Sequence, residues 1–270
     1  MAICQKNLPF TQWTDPRLAR LPGILPVELG TWLDVDDAYA AQIAHRSMLV
    51  QNRPNSVHQI LPQGQDAAEE LFDVLCEELR GMPEFTVDGS QIQCPDGRVV
   101  EVDRAHPLLS FHHVLQEDLC LMVQTPGSDE YRLMGALLCF PASWSLAEKL
   151  GHPLTHIHAP VDEYTPDLAR RVNRLFTAIR TETPLWRANA LIYENPELYQ
   201  PRRMAPSGVK GRGYLRSERQ VLRRLPVTGA VVFTIHTYVV PIDDLNSEQL
   251  RTIGQVAVLP DSPRETDQNV

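Results

Sequence analysis

The chain has 270 residues, 43% of them apolar, 22% charged and 7% aromatic, with 25 basic against 34 acidic side chains and a net charge of −9. This mixture excludes a collagen-like, disulfide-scaffold or wholly disordered chain, and it holds no run of about 18 uncharged apolar residues that would make a transmembrane helix. So acidic a balance disfavours nucleic acid and other polyphosphate partners unless basic residues cluster.

Residues 1–10 lack a basic segment followed by an apolar stretch, so no secretory signal is expected. The five cysteines (Cys4, Cys76, Cys94, Cys120, Cys139) are scattered and form no CxxC pair. That argues against a zinc ribbon, a thioredoxin-type site or a cysteine-held iron–sulfur cluster, and for reduced thiols in a cytoplasmic protein.

A proline-rich opening (Pro9, Pro16, Pro22, Pro26) leads into a helical spacing of Val35, Tyr39 and Ile43, with Asp34 or Asp36 as the start signal. The second predicted helix is capped by Asp66, carries the stripe Leu71, Phe72, Leu75, Leu79 and stops at Gly81. Asp88-Gly89 and Asp96-Gly97 predict the turns of a short meander. Residues 119–123 and 131–140 read as central strands. Ser145 and Glu148 form a capping-box pattern before Gly151. Thr165-Pro166-Asp167 opens the strongest predicted helix, with Leu168, Val172, Leu175, Phe176 and Ile179 on one face and arginines on the other. Ser217 is expected to cap a further helix carrying Val221, Leu222 and Leu225, and residues 230–240 are the clearest strand. The order of elements predicts an α+β protein with a mainly antiparallel sheet. It reads as a single domain over residues 1–260, with an N-terminal helical extension and a disordered tail at 261–270.

His152, His156 and His158 fall within seven residues. On an extended segment His156 and His158 would share a face and could reach one metal, or one could ligate heme iron; a hydrogen-bonded loop is the alternative. HExxH and GxSxG are both absent. Gly208, Lys210, Gly211, Arg212 and Gly213 hint at a phosphate loop, but their order suits a flexible basic loop better. Residues 215–226 carry Arg216, Glu218, Arg219, Arg223 and Arg224, suited to carboxylates or phosphates, or equally to Glu–Arg pairs along a solvated helix. No aromatics interleave with these arginines, which again disfavours nucleic acid. The last strand alternates Val231, Phe233, Ile235 and Val239 with Thr234, His236 and Tyr238, as expected of a half-buried strand or of the floor of a pocket.

Together, LLCFPASWSLAEKLGHPLTHIHAPVDEY (137–164), RANALIYENPEL (187–198), YLRSERQVLRRLPVTGAVVFTIHTY (214–238) and LPGILPVELGTWLDVDDAYAAQIAHR (21–46) resemble the heme-dependent oxidative N-demethylase alpha-subunit family. The resemblance implies a PAS-like antiparallel sheet flanked by helices, binding heme b through a histidine. It implies a monooxygenase that uses O2 to oxidise a C–H bond beside nitrogen in a small secondary amine, the carbinolamine then collapsing to aldehyde and amine. Electrons would come from a separate flavin and iron–sulfur reductase, and this chain has no GxGxxG unit or clustered cysteines of its own. His158 is the expected iron ligand, with His156 its nearest rival. Arg187 and Arg219 are expected to anchor the propionates, Glu218 to face the amine, and Tyr238 to supply a hydrogen-bonding aromatic. The sequence has Ala190 where the family pattern has tryptophan and His236 where it has arginine, both positions expected near the ligand. A heme-binding sensor or carrier without turnover is the alternative function, since fold alone does not fix chemistry.

Overall fold

The computed structural model describes residues 2–18, 23–125, 127, 130–158, 165–202 and 213–258. The strands are β1 (Leu25–Pro26), β2 (His58–Ile60), β3 (Thr86–Asp88), β4 (Gln91–Gln93), β5 (Val99–Glu101), β6 (Asp118–Gln124), β7 (Tyr131–Leu137), β8 (Leu185–Tyr193), β9 (Tyr214–Arg224), β10 (Val231–Pro241) and β11 (Ala257–Val258). The helices are α1 (Tyr39–Asn52), α2 (Pro54–Val57), α3 (Gln65–Gly81), α4 (Leu146–Lys149), α5 (Leu154–Ile157), α6 (Pro166–Ala178) and α7 (Ser247–Thr252). The large sheet runs β1-β8-β9-β10-β6-β7-β2, antiparallel throughout, with β11 added in parallel to β8; β3-β4-β5 form a small separate meander. The α+β expectation holds.

Several local signals act where the sequence places them. Gly89 and Gly97 take φ of +59° and +83° at the two meander turns, a region that glycine enters without cost. Ser145 and Glu148 complete their capping box at α4. Thr165 Oγ1 accepts from Leu168 N at 3.3 Å to open α6. Two starts shift. The first helix begins at Tyr39, leaving Val35 outside, and Asp36 Oδ1 accepts from Ala38 N at 2.8 Å just ahead of it. The second begins at Gln65, with Gly64 rather than Asp66 at the N-cap, because the chain passes so close to β7 that a Cβ on Gly64 would lie 2.5 Å from Met134 O. Before α1 the described residues hold only a 3-10 turn (Gln12–Thr14) and β1, so nothing described there forms a helical extension.

The helix expected from Ser217 is instead the central strand β9. It is paired along its length with β8 on one side and β10 on the other. Both of its faces are covered, so it lacks the apolar–polar alternation that reveals a strand with a wet side. Val221 and Leu222 go to opposite faces, into different hydrophobic clusters. β6 divides likewise: Leu119 and Leu121 join the cluster built on α1 and α3, while Cys120 and Met122 join the cluster beneath α6. The sheet is thus packed on both faces, with α1 and α3 on one and α4, α5 and α6 on the other. The expected tail at 261–270 and the stretch from Gly208 to Arg212 lie outside the described residues.

Candidate functional site

Between the sheet and α6 lies a cavity of about 600 Å³, within the range of small-molecule and cofactor sites. Its floor is one face of the sheet: Cys120 and Met122 of β6, Arg187 of β8, Glu218, Gln220 and Leu222 of β9, and Phe233 and Ile235 of β10. Its roof is the apolar stripe of α6 (Leu168, Val172, Leu175, Phe176), and one wall is the chain from Ala142 to His158. The roof is fixed at its C-terminal end by Arg224, which donates to the carbonyls of Phe176, Thr177 and Ile179 and so satisfies groups the helix leaves open.

His158 follows α5 and faces this cavity. Its Nδ1 lies 2.9 Å from Leu154 O. A carbonyl can only accept, so Nδ1 donates and the ring's basic lone pair sits on Nε2. Burial holds His158 below the ordinary histidine range; the Leu154 carbonyl opposes this, and the charges of Lys149 and Arg187 reinforce it. A neutral imidazole of fixed tautomer is the form that ligates a metal. Lys149 Nζ donates to Ile157 O at 2.6 Å, tying down the segment that carries His158.

His156 is elsewhere. The segment is helical rather than extended, so residues two apart diverge. His156 is exposed and stacks on His152, with ring centroids 3.9 Å apart. The two imidazoles therefore do not share a face. Among the described residues no three His, Cys, Asp or Glu side chains gather as a metal site.

Glu218 points into the cavity. Its Oε2 accepts from Asn189 Nδ2 at 2.9 Å and from Gln220 Nε2 at 3.0 Å, and Arg216 Nε stands 3.7 Å from Oε1. A Glu–Arg pair is thus present, but along a buried strand rather than a solvated helix face, and amide donors from β8 and β9 add to it. Arg187 lies across from Gln220 in the β8–β9 register. Its Nε is buried with no hydrogen-bond partner among the described residues. Burial pushes its guanidinium below the usual range, while Glu218 pulls the other way.

Arg219 and Tyr238 are on the opposite side. Side chains alternate along a strand, so Arg219 turns away from Glu218 and Gln220. It donates to Trp32 O and Thr31 O and stands 3.3 Å from Asp34. Tyr238 donates to Asp34 Oδ2 at 3.0 Å. Both line a separate hollow of about 580 Å³ beside Asp34 and Asp36. His236 shares this face, with Nδ1 3.0 Å from Glu117 and Nε2 3.0 Å from Asp36. Burial alone would lower its pKa, but the two carboxylates outweigh it and push the imidazole up to about 10. The polar side of β10, expected to face solvent, is buried: Thr234, His236 and Tyr238 are at most 3% exposed. Ala190 packs with Leu215 and Tyr238. Neither Ala190 nor His236 lines the cavity.

With the cavity described, the comparison with known families becomes decisive. The model of the family described as haem-dependent oxidative N-demethylase, alpha subunit-like, matches residues 23–265. The chain belongs to that family. Heme dependence is therefore the frame for the site, and the cavity of this N-demethylase-like chain fits a heme chemically. It offers an apolar roof, a floor of mixed polarity, one neutral imidazole whose Nδ1 is held by a carbonyl, and two cations, Lys149 and Arg187, for the carboxylates of the group. Arg187 differs from the other arginines with an unpartnered buried Nε in that it lines this cavity, where an anionic group would meet its guanidinium. Asn189, Gln220 and Lys149 were not anticipated from sequence. The β8–β9 register, which brings Asn189 and Gln220 to Glu218, has no local signal, and Lys149 reaches the cavity from α4.

Proposed function

We propose that the chain is the heme b-binding catalytic component of an oxidative N-demethylase, in which His158 would ligate the iron and Lys149 and Arg187 would hold the propionates. The reading includes a PAS-like organisation of the sheet and a single domain. Bound heme supplies the iron that activates O2 for oxidation of the C–H bond beside nitrogen. The protein's own residues prepare that event. Leu154 O holds His158 Nδ1–H and so aims Nε2 into the cavity. Asn189 and Gln220 hold the Glu218 carboxylate in one orientation, facing the cavity, where it stabilises the ammonium of a small secondary amine. The apolar stripe of α6 faces Glu218 across the cavity, and so apolar a setting strengthens that attraction. Electrons come from a separate flavin and iron–sulfur reductase.

The observation carrying this reading is the pairing of a tautomer-fixed imidazole with an unmatched buried arginine in one 600 Å³ cavity. Titration of the apo chain with heme, followed at the Soret band, tests it. Wild type takes up one equivalent. His158→Ala loses the ligated spectrum, and His156→Ala keeps it. Adding a secondary amine to the loaded chain shifts the band, and Glu218→Gln weakens that response about ten- to hundredfold, as removal of a buried charge-assisted hydrogen bond worth about 1.5–3 kcal/mol requires. An unaltered spectrum in His158→Ala removes the ligand assignment. A normal heme spectrum with no amine response in wild type favours a sensor or carrier instead.

A further inference from the structure

The outer side of α6 is basic. Its inner stripe roofs the cavity, while Arg170, Arg171 and Arg174 are exposed on the outside at helical spacings that keep them adjacent. Several arginines elsewhere in the described structure are occupied. Arg46 pairs with Asp118, Arg223 with Glu78, Arg98 with Asp96, and Arg224 caps α6. On α6 only Arg170 has a carboxylate, Asp167 at 3.3 Å, and that contact is exposed. Arg171 and Arg174 make no ion pair among the described residues. Just before β7, Glu130 accepts from Asn173 of this helix at 3.4 Å and from Thr155 at 3.1 Å. Three clustered exposed arginines are an anomaly on a chain of net charge −9. Long-range repulsion turns an acidic protein away from most of such a molecule, and a local positive patch sets where and how it lands.

We propose that this outer face of α6 is the docking surface for an acidic electron-transfer protein. The inference rests on the heme reading above for its purpose. The geometry supplies the rest: an α-helix with its side chains is about 10–12 Å across, so a redox centre near the surface of a partner seated on α6 lies about one helix diameter from the cavity. The Arg224 cap holds the helix still beneath that contact. Electron-transfer encounters are characteristically small and transient, and a three-arginine patch suits that class better than an extensive apolar interface would.

The test uses a reduced plant-type [2Fe–2S] ferredoxin as the acidic probe. Stopped-flow reduction of the heme-loaded chain is followed at the Soret band, and calorimetric titration of the heme-free chain with the same ferredoxin measures docking directly. In Arg170→Glu/Arg171→Glu/Arg174→Glu the second-order rate at low ionic strength falls about 10- to 1,000-fold and loses its salt dependence. The glutamine triple variant falls by less. Reduction by dithionite, heme content and thermal stability are unchanged in both. Arg80→Glu/Arg104→Glu, on the α3 side of the molecule, keeps the wild-type rate. Titration heats vanish with the α6 charges even in the heme-free chain, so the surface is read out even where heme uptake fails and the preceding reading with it. Wild-type rates and salt dependence in the charge-reversed chain overturn the proposal. So does arginine-dependent binding to phosphatidylserine vesicles without any ferredoxin binding, which assigns the patch to a membrane.

Discussion

The two faces of the large sheet are built from alternate residues of the same strands, yet they treat polar groups in opposite ways. On the α1 and α3 side, polar side chains interlock. Arg46 is fully buried against Asp118 at 2.7 Å and also donates to the carbonyls of Gln116 and Glu117, while Asp118 accepts from the backbone of Cys139 and Phe140. Gln116 bonds both Asp36 and Gln42, and His236 sits between two carboxylates. On the α6 side, His158, Lys149 and Glu218 each hold a carbonyl or amide partner but line one cavity together with Arg187. The difference teaches where to look for function. Charged side chains locked mainly to one another stabilise a fold, whereas the same kinds of group lining a cavity stand where a ligand can meet them.

The largest effect that would break this contrast is on the closed face. Asp118→Asn leaves Arg46 buried without its anion and sets an amide N–H against one of the two backbone donors, Cys139 N or Phe140 N, so it should destabilise the chain by about 3–5 kcal/mol. Denaturant titration measures this, and a loss below about 1 kcal/mol would contradict the role given to the pair.

Next comes His236, whose pKa rises from 6.5 to about 10 on folding. A raised histidine pKa contributes stability that is complete below pH 6.5 and is lost as pH climbs through about 10, at no more than about 1.4 kcal/mol per pH unit for one proton. Unfolding free energies measured from pH 6 to 10 should fall in wild type. In His236→Gln they should be lower at pH 6 and flatter across the range. An equally steep fall in the variant would assign the effect to other groups.

The smallest expected change sharpens the open face. Arg187→Met removes a buried cation that pays a desolvation cost without full hydrogen bonding. The heme-free chain should keep its stability to within about 1 kcal/mol or gain slightly, since apolar replacement of poorly matched buried charge is often neutral or stabilising. Heme affinity should drop in the same variant. A large loss of stability with unaltered heme uptake would make Arg187 a structural residue.

Much of the framework was legible because its signals are local. The capping residues of α4 and α6, the glycine turns of the meander and the apolar stripe of α6 act over a few residues, and each acts where the sequence places it. The histidine segment was legible as chemistry but not as geometry: on an extended segment His156 and His158 would share a face, whereas the helical winding of α5 turns them apart.

What the sequence by itself determined, then, is the family, the antiparallel α+β architecture and the presence of His158, Arg187 and Glu218 among the chemically capable groups. Only the tertiary structure decided which of them meet. β9 is a central strand covered on both faces, so its sequence carries no alternation to separate Glu218 and Gln220, which face the cavity, from Arg219, which turns to Asp34. For the same reason Tyr238 and His236 lie behind the sheet, and the departures at Ala190 and His236 do not touch the cavity walls. Facing direction in a strand depends on registry with neighbours distant in sequence, and that registry is fixed by packing rather than by any short run of residues.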